Sequence, residues 1–225
     1  MKTPLVLLSG LVSNARVWEH QVENLSKVAD PQVITSTASA PEEMVASILD
    51  QAPPKFALAG HSMGGWICLE VMRAVPERVE KLCLINTTAR SDSPERAKRR
   101  KEMITRAERG EYATIAHELA LFFVRQSGVL IEVEWMFLQE GKGVFINQEK
   151  AMLVRDECFS ILPTIQCPTL VIHAKEDPLF SLEEHQELQQ GISGAKLCMV
   201  ADSGYMSPME APQAITSLLQ KWLTE

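Results

Sequence analysis

The residues best placed to do chemistry in this chain are Gly60-His61-Ser62-Met63-Gly64-Gly65. A short apolar run, Phe56 to Ala59, leads into them, and a helix-period pattern beginning at Trp66, Ile67 and Cys68 leads away. Ser62 therefore sits on a strand-to-helix corner. Glycines two residues to either side of a serine suit a sharp elbow, because strand and helix come too close there for side chains and the serine's own backbone is strained. A serine displayed this way can attack a carbonyl carbon, with the first N–H groups of the following helix directed at the oxyanion that forms. The plainer alternative is a glycine-rich turn with an incidental serine; the strand before it and the amphipathic helix after it favour the elbow.

The elements needed to hold such a corner are legible on both sides. Leu5 to Ser9 is a continuous apolar run of the kind a buried parallel strand needs, ending at Gly10-Leu11-Val12-Ser13-Asn14. Helix-period positions follow at Val17, Trp18, Val22 and Leu25, then a short strand at Pro31–Thr35 and a helix opened by Ala40-Pro41-Glu42-Glu43. After the elbow comes another strand, Val79–Asn86. This alternation indicates right-handed βαβ units and a parallel sheet covered by helices on both faces. From Ser91 to about Leu162 the rhythm is helical only, with patterns at about 94–109, 111–125, 129–139 and 147–160 broken at Gly110, Gly128 and Gly141-Lys142-Gly143. Strands resume at Thr169–His173 and Lys196–Val200, with helices at about 182–190 and 211–223.

Composition sets outer bounds. A chain of 225 residues, 46% hydrophobic and 23% charged, fits one globular domain with a substantial core. Its net charge of −7 argues against nucleic-acid binding. The five cysteines are scattered without metal-ligand spacing, which suggests reduced thiols packed as small hydrophobes. No ligand cluster or phosphate loop calls for a metal or an organic cofactor. No apolar run approaches membrane-spanning length or forms a signal segment, so a cytoplasmic location away from membranes is expected.

Taken in order, these blocks resemble the α/β-hydrolase family over nearly the whole chain. Gly60–Gly65 is similar to its nucleophile elbow, Ser9-Gly10-Leu11 to its oxyanion loop, and the helical stretch after Val79–Asn86 to its lid. Cys167–Ile172 with Lys175-Glu176-Asp177-Pro178 is similar to the strand and turn that carry its acid. The resemblance implies an α/β fold with a mostly parallel six-stranded sheet, lacking the family's first strands. The core would be residues 1–90 and 163–225, with a helical lid at 91–162 and the first and third strands adjacent. It also implies an ester-, lactone- or C–C-hydrolase-like enzyme, expected to act on a small apolar acyl ester or thioester, with Ser62 attacking the carbonyl, the N–H groups of Met63 and Leu11 holding the oxyanion, and Asp177 orienting a histidine. Glu176 competes for that acid role, and Asp177-Pro178 also reads as an ordinary turn.

One departure governs the activity. The family's Gly-His-x-x-x-x-Glu-x-Pro pattern reads Gly204-Tyr205-Met206-Ser207-Pro208-Met209-Glu210-Ala211-Pro212 here, so every framing residue is present and the histidine is tyrosine. A phenol with a reference pKa of about 10, against about 6.5 for imidazole, keeps its proton at neutral pH and cannot take one from Ser62. Three readings of Tyr205 stay open: a trapping substitution in a working hydrolase, a natural loss leaving a ligand-binding pseudo-hydrolase, or compensation by another histidine such as His173. A lyase or C–C hydrolase using the same pocket is a further alternative. Ser9, where the family commonly has histidine, bears on pocket shape only, since the oxyanion donor there is a backbone N–H.

Weaker signals concern the substrate. Phe122, Phe123 and Trp135 in the helical stretch, with Trp18 and Met63, could roof an apolar pocket above Ser62; helical spacing also suits them to the lid's own core. Arg96-Ala97-Lys98-Arg99-Arg100-Lys101 places five positive charges in six residues. Such a run is expected to be a solvated helix face, with docking of an acidic carrier protein or an anionic thioester tail as the sharper possibility.

Overall fold

The computed structural model describes residues 2–225. Runs of apolar residues too long for a one-sided sheet form the central strands: β1 (Thr3–Leu8), β3 (Phe56–His61), β4 (Val79–Ile85) and β5 (Thr169–Ala174), with every residue of β3 and β5 buried. The strands of mixed polarity, β2 (Ala29–Ile34) and β6 (Lys196–Val200), lie at the edges, where half their surface is allowed to meet water. All pairings are parallel and the order is β2-β1-β3-β4-β5-β6. The chain runs outward from β1 to β2, then crosses back to β3 and proceeds the other way. The strand order thus reverses between β1 and β3, and a crevice opens beyond their carboxyl ends. The six-stranded sheet and the adjacency of the first and third strands match expectation.

Helices α1 (Glu19–Leu25), α2 (Pro41–Gln51) and α3 (Met63–Ala74) make the early crossovers. Between β4 and β5 lie α4 (Pro94–Glu108), α5 (Tyr112–Phe123) and α6 (Leu130–Leu153), which pack on one another. The late elements are α7 (Leu182–Gly191), opened by a reciprocal Ser181–Glu184 capping box, the short α8 (Ser207–Glu210) and α9 (Pro212–Thr224). One hydrophobic core includes residues of the sheet and of the inserted helices, among them Leu58, Leu84, Phe137 and Phe145.

The expectation of separate helices at 129–139 and 147–160 is corrected. Two helical stretches meet end to end at Gly141 (φ 82°, ψ 166°), so the break is a kink inside α6 and no loop intervenes. Helix also stops at Leu153; the chain then reaches a 3-10 turn at Phe159–Thr164 that contains Pro163. All five cysteines are free thiols. Among the described residues no helix is long and apolar enough to cross a membrane.

What positions the corner after β3 is backbone-to-backbone contact. A Cβ on Gly60 would lie 2.3 Å from the Gly64 carbonyl oxygen, and one on Gly64 would lie 2.3 Å from the Leu8 carbonyl oxygen. Neither neighbour is a flexible side chain that can yield. Gly64→Ala should therefore lower the stability by about 3 kcal/mol or prevent folding. Gly143→Ala, at a helical glycine with nothing within 4 Å, should leave the stability unchanged or raise it by up to about 1 kcal/mol. Urea unfolding of both variants checks the pair.

Candidate functional site

Ser62 sits between β3 and α3 with φ 56° and ψ −117°, a conformation that costs a non-glycine residue on the order of 1–3 kcal/mol. The surroundings over-determine it. Its N–H donates to the Ile85 carbonyl (2.9 Å), and its carbonyl accepts from the Thr87 hydroxyl (2.7 Å) and from the N–H groups of Gly65 and Trp66. Its side chain is directed into a cavity of about 80 Å³ under the inserted helices.

Tyr205, in the loop after β6, is brought directly against it. The phenol hydroxyl donates to Ser62 Oγ, and the ring stacks on Phe123 (centroids 4.2 Å apart, planes at 29°). The Tyr205 carbonyl accepts from His61 Nε2 (2.7 Å) and from Asn86 Nδ2 (3.1 Å), while Asn86 Oδ1 accepts from the Ala174 N–H (3.1 Å). Asn86 thus ties the ends of β4 and β5 to the Tyr205 loop. Glu210, the last framing residue but one, accepts from the N–H groups of Met206, Arg125 and Gln126, fixing the other side of the loop to the end of α5. Burial pushes the Tyr205 phenol above its ordinary value, away from ionisation, with the Asp177 carboxyl adding to the effect.

Asp177 lies in the turn after β5. Its Oδ1 accepts from the N–H groups of Leu179 (2.7 Å) and Phe180 (3.1 Å), which makes it a turn former as well. Its Oδ2 is buried and has no hydrogen-bond partner. Burial raises this carboxyl to about 7; the two N–H bonds oppose the shift, and Glu184 and Glu210 reinforce it. Glu176 is exposed.

No other histidine reaches Ser62 Oγ. His61 is fully buried, its Nε2 must carry the proton it gives to the Tyr205 carbonyl, and burial lowers it to about 4. His173 lies tilted against His185 (4.4 Å between centroids, planes at 48°), outside the cavity lining, so the structure does not bring it to the serine.

Leu11 and Met63 line the same cavity, and neither backbone N–H has an acceptor among the described residues. The loop bearing Leu11 is strained at Val12 (φ 45°), a β-branched residue in a region such residues avoid. Gln148, buried on α6, holds it: Gln148 Oε1 accepts from the Val12 N–H (2.7 Å) and Nε2 donates to the Ser36 carbonyl (2.9 Å). Sequence reading missed Gln148, although a glutamine and a glutamate side by side among Phe145, Ala151 and Met152 were a visible signal.

The cavity walls include Leu119, Phe122 and Phe123 from the inserted helices and Leu179 and Phe180 from the turn after Asp177. Phe122 and Phe123 are therefore on the cavity wall, while two other aromatic expectations are corrected. Trp18 is wholly buried in a turn packed against β2 and α8, and Trp135 is 43% exposed beneath the Arg16 guanidinium, 4.5 Å from its ring centroid. Hydrophobic periodicity predicted burial without telling which face. The basic run is also corrected in part. Lys98 is solvated, while Arg96, Arg99 and Arg100 line the cavity.

Because its folded-state value lies above that of an unfolded aspartate, Asp177 binds a proton in the native state that the unfolded chain has lost between about pH 4 and 7. Its contribution to stability is full below that window and declines as pH rises through it, at a slope of at most about 1.4 kcal/mol per pH unit. Asp177→Asn keeps the turn-forming oxygen and removes the titration. In urea titrations from pH 4 to 8, its stability relative to the parent chain should rise with pH and level off above about 7.

The sequence pattern of the alpha/beta hydrolase family matches residues 5–218. Over 96% of this chain and 89% of the other, it is 28% identical to a protein of Azorhizobium caulinodans named "Putative carbamate hydrolase RutD". It is 24% identical to the (E)-2-((N-methylformamido)methylene)succinate hydrolase of Acinetobacter baylyi, over 98% of this chain and 90% of that one. Among solved structures, an esterase from Thermogutta terrifontis, malate bound, superposes with a TM-score of 0.90 at 25% identity, covering 100% of this chain and 90% of that one. With the sheet order, the elbow and this match over nearly its whole length in agreement, the chain belongs to the alpha/beta hydrolase family.

Proposed function

We propose that this chain is a serine hydrolase-type protein that takes a small acyl ester or thioester, with Ser62 as nucleophile and the N–H groups of Leu11 and Met63 as oxyanion donors, and that Tyr205 holds its turnover far below that of a complete triad. The observation carrying the reading is the buried, unpartnered Oδ2 of Asp177 beside Tyr205. A carboxylate that orients an imidazole needs a free oxygen facing a ring N–H, and a phenol has no second donor to give it. The named relatives and the superposing esterase support hydrolysis as the reaction class.

With a protonated phenol against Ser62 Oγ, no group takes the serine proton as the oxygen attacks, and none returns it to the leaving group. The phenol also occupies an Oγ lone pair, which weakens the nucleophile. What remains is binding plus oxyanion stabilisation, on the order of 10³–10⁴-fold over water. The Tyr205–Ser62 hydrogen bond equally suits a protein that binds its ligand without turning it over. That second reading shares the pocket and differs only in rate.

Hydrolysis of p-nitrophenyl acetate and butyrate by the parent chain and by Tyr205→His, each with and without Ser62→Ala, tests the assignment. Tyr205→His should raise kcat/KM by roughly 10³-fold or more, and Ser62→Ala should abolish the gain. No gain, or one that survives Ser62→Ala, would remove Ser62 and Asp177 from these roles.

A further inference from the structure

Four charged side chains line the otherwise apolar cavity at Ser62: Arg96, Arg99, Arg100 and Glu149. Three of them are already matched. Arg100, mostly buried, bonds Asp92 (2.5 Å) and Glu149 (2.6 Å), and Arg155 bonds the other oxygen of Asp92 (2.8 Å), so two cations and two anions close a balanced network under α4. Arg96 donates to the Leu179 carbonyl (2.8 Å) and lies 3.4 Å from the Glu184 carboxylate. Arg99 is the exception. Its guanidinium rests 5.0 Å from the centre of the Phe122 ring, and among the described residues it has neither a salt bridge nor a hydrogen bond. The nearby carboxylates are engaged elsewhere: Glu118 by both terminal nitrogens of Arg106 (2.8 and 2.9 Å), and Glu102 by Lys98 (3.9 Å).

The lining thus carries one guanidinium without an ion-pair partner, exposed to solvent at the edge where Glu102 and Glu118 also lie, in a protein whose net charge is −7. A guanidinium lying near an aromatic ring keeps its edge N–H groups outward, in the fork geometry that a carboxylate or phosphate accepts in pairs. An apolar chamber with a single unmatched cation at its rim fits a ligand that is apolar next to the reacting carbonyl and anionic at its far end.

We infer that the ligand of this pocket is an anionic acyl ester or thioester, and that Arg99 is a specificity-determining residue that holds its remote anionic group. The inference deepens the hydrolase reading and shares its pocket, but it concerns binding and is read without turnover. The anion has two possible sources with the same chemistry: a carboxylate on the acyl chain, as in a half-ester of a short dicarboxylic acid, or a phosphate on the leaving group.

The test is calorimetric titration of the Ser62→Ala chain, and of the same chain with Arg99→Gln, with monomethyl glutarate, dimethyl glutarate and acetyl-CoA. A carboxylate source predicts that the monomethyl ester binds about tenfold or more tighter than the dimethyl ester, a phosphate source that acetyl-CoA is the ligand bound. In either case Arg99→Gln should remove most of the preference, and raising NaCl from 0.05 to 0.5 M should weaken binding of the anionic ligand in the parent more than in the variant. Equal binding of neutral and anionic ligands, a preference that Arg99→Gln leaves intact, or no binding of any of the three overturns the inference. Equal thermal melting of the two chains shows that the variant is folded. The esterase assay of Tyr205→His stands apart: a gain there with no charge preference here would sink only the role of Arg99, and the reverse would sink only the nucleophile.

Discussion

Direct contact between backbones around Ser62 is the constraint on which the rest of this molecule hangs. Gly64 at the start of α3 meets the carbonyl of Leu8 at the end of β1, and Gly60 in β3 meets Gly64. Ser62 is pinned from the other side by Ile85 of β4 and by Thr87 just beyond it. A serine held at φ 56° therefore needs both sheet neighbours of β3 in register. The reversal of strand order and the positive φ of one serine are two views of the same requirement. Each is affordable only because the contacts around it leave no alternative.

Burial acts in one direction on the phenol and the carboxyl near that serine, since it disfavours their charged forms. The phenol of Tyr205 and the carboxyl of Asp177 are both moved upward, the second to about 7. In a complete triad the carboxylate's charge is balanced by an imidazolium as it forms; with tyrosine in that place no cation appears, and the N–H groups of Leu179 and Phe180 offset only part of the cost of keeping Asp177 ionised. The site is therefore electrostatically relaxed in a way a working triad is not.

Where the sequence spoke clearly, it spoke through backbone requirements. The strand runs and the flanking glycines of Ser62 each demand a particular local geometry, and the strands and the elbow were legible from them, while the sheet order and the meeting of Tyr205 with Ser62 were implied by the family resemblance of the blocks, the frame Gly204 to Pro212 among them. Facing direction was not. Trp18 and Trp135 sit on apolar patterns that predict burial or contact without saying with what, and the structure turns one into the core and the other under Arg16. The basic run on α4 read as solvated because charge alone does not reveal that a helix lies across a cavity. Asn86 was silent for a related reason, as its partners are backbone groups more than 80 positions away.

Gln148 bears on how this molecule is put together. Its amide reaches from α6 to Val12 on one side and Ser36 on the other, so a helix of the insertion completes the hydrogen bonding of the loop that follows β1. An insertion of this kind is commonly pictured as an exchangeable roof, varied to suit the ligand while the sheet below stays constant. Here roof and foundation share a buried amide. A chimera carrying a related protein's insertion would inherit an unpaired Val12 N–H at a strained residue unless a side chain of matching reach came with it.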